Sequence, residues 1–136
     1  MAASLYIVVE GEDPGFDIFV NGQALARNED ALERMAQQLR VPPLLEFFSA
    51  DENSMALLSE QGAGDPDWGK HLPEPQWFQA PAGLTTVRSL IRFLGENPVA
   101  LGSETGAAVS ELREYERVLE KTAFFGLRWH LAVSWL

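Results

Sequence analysis

The sequence predicts an α+β fold in which a small sheet includes the N-terminal and C-terminal strands and packs against three to four helices. Short apolar segments rich in β-branched or aromatic residues lie near both ends of the 136-residue chain. Apolar residues in the middle repeat with helical period instead. Such an order most simply places the first and last strands side by side, with helices on their apolar face. The length fits a single domain, residues 1–136.

The first predicted strand is Leu5–Val9, a continuous apolar segment that ends at an acidic turn containing four carboxylates. Continuous apolar character is typical of a strand buried on both faces, so we expect it in the centre of the sheet. Residues 16–20 form a second candidate strand, which ends at the turn dipeptide Asn21-Gly22. A hairpin would return through residues 23–26. The acidic turn lacks the ligand spacing of an EF-hand and is interpreted as solvated.

Asn28 is the predicted N-cap of an amphipathic helix that has to end before Pro42. Pro43 can begin another short helix, and residues 54–62 can add one or two further turns. The apolar stripe of the first of these helices consists of Leu32, Met35, Ala36 and Leu39.

Two longer amphipathic helices are predicted in the second half of the chain. The first ends at residues 95–98, where glycine and proline close the pattern. The second is capped by Ser103 or Thr105 and ends at Gly126. Their apolar stripes are Leu84, Val87, Leu90, Ile91 and Leu94, and then Ala108, Leu112, Tyr115, Leu119 and Thr122.

The last predicted strand alternates in polarity. One face would carry Leu127, Trp129, Leu131, Val133 and Trp135, and the other Arg128, His130, Ala132 and Ser134. We therefore expect a strand with one buried face and one polar face.

The composition excludes several classes of function. Twenty acidic and ten basic residues give a net charge of −10, which opposes binding to phosphate backbones and to anionic membranes. No nucleic-acid or membrane partner is therefore predicted. The chain has no cysteine, which excludes disulfides, thiolate nucleophiles and cysteine-based metal centres. It shows neither a signal-peptide pattern nor an apolar stretch of membrane-spanning length, so we expect a cytoplasmic protein.

A long irregular loop is predicted at about residues 62–81, and it contains Trp68, Trp77 and Phe78. Long loops in compact domains are usually functional or mobile. As a lid, these rings would cover an open end of the core; as a recognition surface, they would anchor a partner at little entropic cost. The lid is favoured because large aromatic side chains of small domains are normally buried. The two interpretations can coexist.

His71 and His130 are the candidate acid/base residues. His71 lies near two aspartates, but one imidazole and two carboxylates without a recognised spacing do not predict a metal site. His130 and Ser134 would lie roughly 13 Å apart along a strand, too far for a catalytic pair. Arg88 and Arg128 could hold an anionic group, although a surface ion pair is the simpler expectation for Arg88. No glycine-rich phosphate loop is present, so neither cofactor nor metal is predicted.

Four segments resemble parts of small uncharacterised bacterial proteins with no assigned activity. They are PLLEFFS at residues 43–49, QWF at 76–78, GLTTVRSLI at 83–91 and RWHLAV at 128–133. The resemblance spans nearly the whole chain. It implies a bacterial, cytoplasmic origin and no particular mechanism.

Two functional hypotheses follow. The leading one is a non-enzymatic interaction protein, of the adaptor or inhibitor type, whose acidic surface attracts a basic protein and whose Trp68–Phe78 loop supplies the anchors. The alternative is a small-molecule binder or enzyme with a pocket between this loop and the polar face of the last strand. There a histidine would transfer a proton, and Arg88 or Arg128 would bind an anion.

Overall fold

A computed structural model describes residues 3–11, 14–49 and 76–135 of the chain. Within these residues the fold is α+β, as the sequence predicts, with four α-helices and one three-stranded sheet. The elements are β1 (Ala3–Val9), α1 (Gln23–Arg27), α2 (Glu29–Leu39), a 3₁₀ turn (Leu44–Phe47), β2 (Phe78–Gln79), α3 (Ala80–Glu96), a second 3₁₀ turn (Gly102–Glu104), α4 (Thr105–Phe124) and β3 (Arg128–Trp135).

The strands form an antiparallel sheet in the order β1-β3-β2. β1 pairs with β3 along its whole length, with Ile7 opposite Leu131, which confirms that the first and last strands are neighbours. β2 pairs with the beginning of β3, where Phe78 lies opposite Trp129. Beyond β2, the backbone N–H of Ser49 donates a 2.9 Å hydrogen bond to the carbonyl of Leu131.

The place of β1 at an edge of the described sheet contradicts the expectation of a central strand. Its burial alternates: Leu5, Ile7 and Val9 are buried, whereas Tyr6 and Val8 are partly buried. The continuous apolar segment therefore has one face on the core and one partly covered face, and apolar character alone does not distinguish this case from a central strand.

β3 is the central strand, and the expectation that it has a polar face is wrong. Trp129, His130, Leu131 and Ala132 are all buried, because the strand has neighbours along both edges and cover on both faces. Arg128, at its beginning, is exposed. His130 therefore occupies the interior.

α3 and α4 pack against each other along the stripes that the sequence predicts. Their buried side chains include Leu84, Val87, Leu90 and Leu94 of α3 and Ala108, Leu112, Tyr115 and Leu119 of α4. α3 begins at Ala80, so the predicted loop ends earlier than residue 81. Pro81 fits the first helical turn, where its missing N–H is not needed. Gly83 lies against Trp129, where a Cβ atom would come within 2.2 Å of a ring carbon.

α2 confirms the helix predicted after Asn28 and ends at Arg40, which adopts a left-handed conformation with φ of 60°. Its buried side chains are Leu32, Met35 and Ala36. The short helix predicted after Pro43 is a single 3₁₀ turn, Leu44–Phe47, and the backbone is extended again at Phe48. The helix predicted at residues 54–62 lies outside the described residues.

The hairpin predicted through Asn21-Gly22 is wrong, because helix α1 follows this dipeptide. The side-chain oxygen Oδ1 of Asn21 accepts a 3.1 Å hydrogen bond from the N–H of Gln23. The carboxylate of Glu111, on α4, accepts the next two N–H groups, from Ala24 at 3.0 Å and Leu25 at 2.9 Å. These bonds satisfy N–H groups that a helix leaves free at its start, so the segment forms a helix.

A buried junction joins α1, β1 and α4 around Gly22; we call it the Gly22 junction, formed by Gly22 with Ser4, Leu5, Glu111 and Tyr115. The N–H of Gly22 donates to Oγ of Ser4 (3.2 Å), and its carbonyl accepts from the N–H of Leu5 (3.2 Å). The hydroxyl of Tyr115 donates to the carbonyl of Leu5. Burial, and then the charge of Glu111, raise the pKa of Tyr115 above its ordinary value, so the hydroxyl keeps its proton. The edge strand is thereby tied to α4.

Replacing Gly22 tests this junction. A Cβ atom there would lie 1.9 Å from the carbonyl oxygen of Leu5 and 2.3 Å from the hydroxyl oxygen of Tyr115. We expect Gly22→Ala to lower the free energy of unfolding by about 3 kcal/mol or more, because the backbone cannot move without breaking the junction. Gly95→Ala, in α3 with open space around it, should raise it by up to about 1 kcal/mol. Chemical denaturation measures both, and equally small effects would contradict the packing described.

Candidate functional site

His130 is buried on β3 and covered by Trp77. The two ring centroids are 4.4 Å apart with the planes tilted by 38°, and 1% of the His130 surface is exposed. Nδ1 of His130 lies 3.1 Å from the carbonyl oxygen of Gln76. Because a carbonyl only accepts, Nδ1 carries the proton of this bond. The segment that leads into β2 therefore holds the imidazole on one side.

Phe78 packs into the core. Its ring meets that of Phe47 edge to face, with centroids 5.4 Å apart, and Phe47 stacks on Trp129 at 5.0 Å. The indole N–H of Trp129 donates to the carbonyl of Gln79 at 3.2 Å. β2 is thus fixed to β3 by aromatic packing as well as by strand pairing.

Trp77 and Phe78 both lie partly buried against β3 or its neighbours. Partial burial against the sheet is consistent with the interpretation of these two rings as a cover over the core. The other two predicted loop residues, Trp68 and His71, lie outside the described residues.

Arg88 joins α3 to α4. Its Nε donates to Glu116 at 3.1 Å and its Nη2 to Glu120 at 2.8 Å. The hydrogen bonds that it donates to Glu120 and Glu116 raise the pKa of the guanidinium. The surface ion pair that the sequence predicts for Arg88 is therefore present, and it engages two carboxylates.

Arg128 pairs with Glu10 at the end of β1. Nε of Arg128 donates to Oε1 of Glu10 at 3.1 Å, and Nη2 contacts the second carboxylate oxygen. The hydrogen bond from Arg128 holds the pKa of Glu10 below its ordinary value. Arg88 and Arg128 thus contact carboxylates on different elements, while His130, two residues from Arg128, is buried.

A cluster of three phenylalanines lies where α4 ends; we call it the phenylalanine surface, formed by Phe16, Phe124 and Phe125. Phe16 stacks on Phe125 with centroids 5.6 Å apart, and Phe124 meets Phe125 edge to face at 5.1 Å. Phe124 is 83% exposed and Phe125 54% exposed. Two large aromatic rings therefore face solvent side by side, instead of being scattered singly.

The geometry of the chain fixes the phenylalanine surface. Gly126 follows the C-cap residue of α4 with φ of 68°, and the N–H of Leu127 donates to the carbonyl of Thr122 at 3.0 Å. This is a left-handed helix stop of the kind that glycine permits. On the other side, Nη1 of Arg117 donates to the carbonyl of Asp17 at 3.2 Å, which holds the segment that carries Phe16 against α4.

The sequence also indicates this surface, because two of its aromatic residues lie outside the apolar stripe of α4. Phe124 and Phe125 follow the last stripe residue, Thr122, and directly precede the glycine that ends the helix. Aromatic residues off the buried stripe of an amphipathic helix face away from the core.

Two other features of the described surface contain none of the sequence-predicted site residues. Carboxylates of Glu29, Asp30 and Glu33 lie within 4.8 Å of one another on α2. Desolvation, a hydrogen bond with Asp30 and the charge of Glu33 raise the pKa of Glu29. Exposed acidic groups of this kind are common without a metal. An open depression of about 570 Å³ lies beside Arg40 and Leu45.

Among the described residues no helix has the length and apolar character needed to cross a membrane. Comparison with protein-family models, with curated proteins and with solved structures found no match.

The pair of Glu10 and Arg128 predicts a pH dependence. A carboxyl group whose folded-state pKa is lowered stabilises the fold above its unfolded-state pKa, and this contribution is lost as the pH falls through the folded-state value. We expect a double-mutant cycle of Glu10→Gln and Arg128→Gln to show a small favourable coupling at neutral pH that declines below the ordinary glutamate pKa of about 4.3 and is lost once the pH falls below the lowered folded-state pKa of Glu10. Denaturant midpoints across the pH range measure it, and coupling that persists in acid would contradict the assignment.

The lid interpretation of Trp77 predicts a change at His130. We expect Trp77→Ala to lower the free energy of unfolding by about 2 kcal/mol, since a partly buried indole is lost, and to increase acylation of His130 by diethyl pyrocarbonate. Phe19→Ala, at a ring that is 75% exposed, is the control and should alter neither quantity. An unchanged reactivity of His130 in folded Trp77→Ala would argue against a cover.

Proposed function

We propose that this protein is a non-enzymatic interaction module, of the adaptor or inhibitor type, that binds a basic protein through the phenylalanine surface. The exposure of Phe124 and Phe125 beside Phe16 is the observation that supports it. Contiguous exposed aromatic rings mark binding surfaces, and aromatic side chains are frequent interaction hot spots. Rings already held by stacking lose little conformational freedom when a partner binds.

The charge of the chain supports a basic partner. The segment from Glu10 to Asp17, which includes Phe16, contains four acidic residues and no basic one, and the whole chain has a net charge of −10. Lysine and arginine side chains can pair with such carboxylates while their stems or guanidinium planes pack on phenyl rings. Opposite net charges also accelerate the encounter. Two copies of this chain would repel each other, which disfavours a self-complex.

The net charge makes a protein a better partner than nucleic acid or an anionic membrane, since both of these are themselves negatively charged. The proposal includes a bacterial cytoplasmic setting, which rests on the resemblance of the four segments described above. It assigns the anchors to the end of α4, because Trp77 and Phe78 are partly buried in packing of their own.

The alternative, a small-molecule site of histidine and arginine side chains, has less support. Arg88 and Arg128 already contact carboxylates. An anionic ligand would have to displace these carboxylates from the arginines. His130 is covered by Trp77, and His71 lies outside the described residues. This alternative stays a prediction of the sequence.

Two designed amphipathic helical peptides test the proposal. They share the same leucine positions, and one has lysine and arginine at its polar positions where the other has glutamate. We expect only the basic peptide to bind, with changes in amide NMR spectra centred on the phenylalanine surface. Phe124→Ser combined with Phe125→Ser should weaken binding at least ~10-fold. Val99→Ser is the control, because Val99 is apolar and 82% exposed in another part of the chain.

Circular dichroism confirms that each variant is folded. Equal binding of the two peptides, or binding that the double substitution leaves intact, would contradict the proposal. Self-association in sedimentation experiments that the double substitution abolishes would instead make a second copy of the chain the occupant.

A further inference from the structure

Asn21-Gly22 combines an exposed asparagine with a buried glycine. Asparagine followed by glycine is the dipeptide most prone to spontaneous deamidation, since glycine places no side chain near the reacting atoms. We propose that Asn21-Gly22 is a latent deamidation site that the Gly22 junction keeps closed in the folded protein. The proposal is independent of the function proposed above.

The reaction requires the backbone nitrogen of Gly22 to be free. This nitrogen loses its proton to a base and attacks the side-chain carbonyl carbon of Asn21, so that a C–N bond forms and ammonia leaves. Water then opens the cyclic imide at one of its two carbonyls and gives aspartate or isoaspartate. In sum, an amide and water become a carboxylic acid and ammonia, and no further reactant is needed.

Hydrogen bonds oppose each of these movements in the fold. The N–H of Gly22, which would have to lose its proton, donates to Oγ of Ser4 at 3.2 Å. The carbonyl of Gly22 accepts two backbone N–H groups, at 3.2 and 3.0 Å. The side-chain oxygen of Asn21 accepts from the N–H of Gln23 at 3.1 Å. The nucleophilic nitrogen and the carbonyl of Gly22, and the side-chain oxygen of Asn21, are therefore all held by hydrogen bonds.

The close packing around Gly22 also opposes the backbone movement that the reaction requires. A substituent on its Cα would lie 1.9 Å from the carbonyl oxygen of Leu5, so Gly22 packs directly against β1 and a large rotation of its backbone requires α1 to separate from β1. Reaction then requires the junction to open. Isoaspartate would insert a methylene group into the backbone directly before Gly22, so a modified chain could not close the junction in the same geometry.

Incubation at mildly alkaline pH tests the proposal, with isoaspartate at position 21 quantified by peptide mass spectrometry. We expect the folded protein to react at least ~100-fold more slowly than a peptide of residues 16–27, because only the opened fraction reacts. Ser4→Ala should accelerate the reaction ~10-fold, as expected when one hydrogen bond is lost from a buried contact. Ser4→Thr, which keeps the hydroxyl, should restore the slow rate. Ser110→Ala, at an exposed serine of α4, is the control and should not change it.

A rate in the folded protein within a few-fold of the peptide rate would overturn the proposal, as would equal rates in the native protein and folded Ser4→Ala. Should Ser4→Ala fail to fold, amide hydrogen exchange of Gly22 in the native protein decides. Exchange far slower than in the peptide supports the closed site, and exchange at the peptide rate refutes it.

Discussion

One buried carboxylate connects the parts of this fold. Glu111 is 8% exposed and accepts two N–H groups at the start of α1, while Tyr115, one turn further along α4, bonds the edge of β1 at Leu5. The bonded residues are 86 to 110 positions apart in the chain. A buried charge is tolerated when hydrogen bonds replace its hydration, and the N–H groups of α1 do so here. The absence of a side chain at Gly22 makes the close approach of the three elements possible.

Because α4 is held in place by these contacts, it also fixes the position of the phenylalanine surface at its end. The Gly22 junction fixes the middle of the helix, and the two contacts from Arg88 fix its exposed side to α3. Gly126 then ends the helix at a defined position, so the last turn presents Phe124 and Phe125 in one arrangement. A surface built on a helix held at several points is more rigid than one built on a loop.

Much of the fold follows from local patterns within the sequence. The predictions that fail concern residues whose structure depends on contacts with distant parts of the chain. The periodic stripes of α3 and α4 predict those helices because each helix is stabilised along one continuous face. The turn signal of Asn21-Gly22 is equally local, but its outcome depends on Glu111, which lies far away in the chain. Glu111 occupies the apolar stripe between Ala108 and Tyr115, and a carboxylate at such a position indicates a buried acceptor role. Burial of His130 also depends on distant residues, so the alternating polarity of β3 alone predicted a polar face at this position.

The sheet order has a consequence for how the chain acquires its structure. β1 and β2 pair with β3, which follows every other described element along the chain, so the described sheet cannot begin to form before β3 is available. Helical contacts are local and form early, whereas pairing between distant strands closes long loops and is slow. During synthesis β1 therefore remains unpaired, with its apolar face uncovered by a sheet, until β3 has been made. An apolar strand face exposed for such an interval is the kind of surface that chaperones recognise.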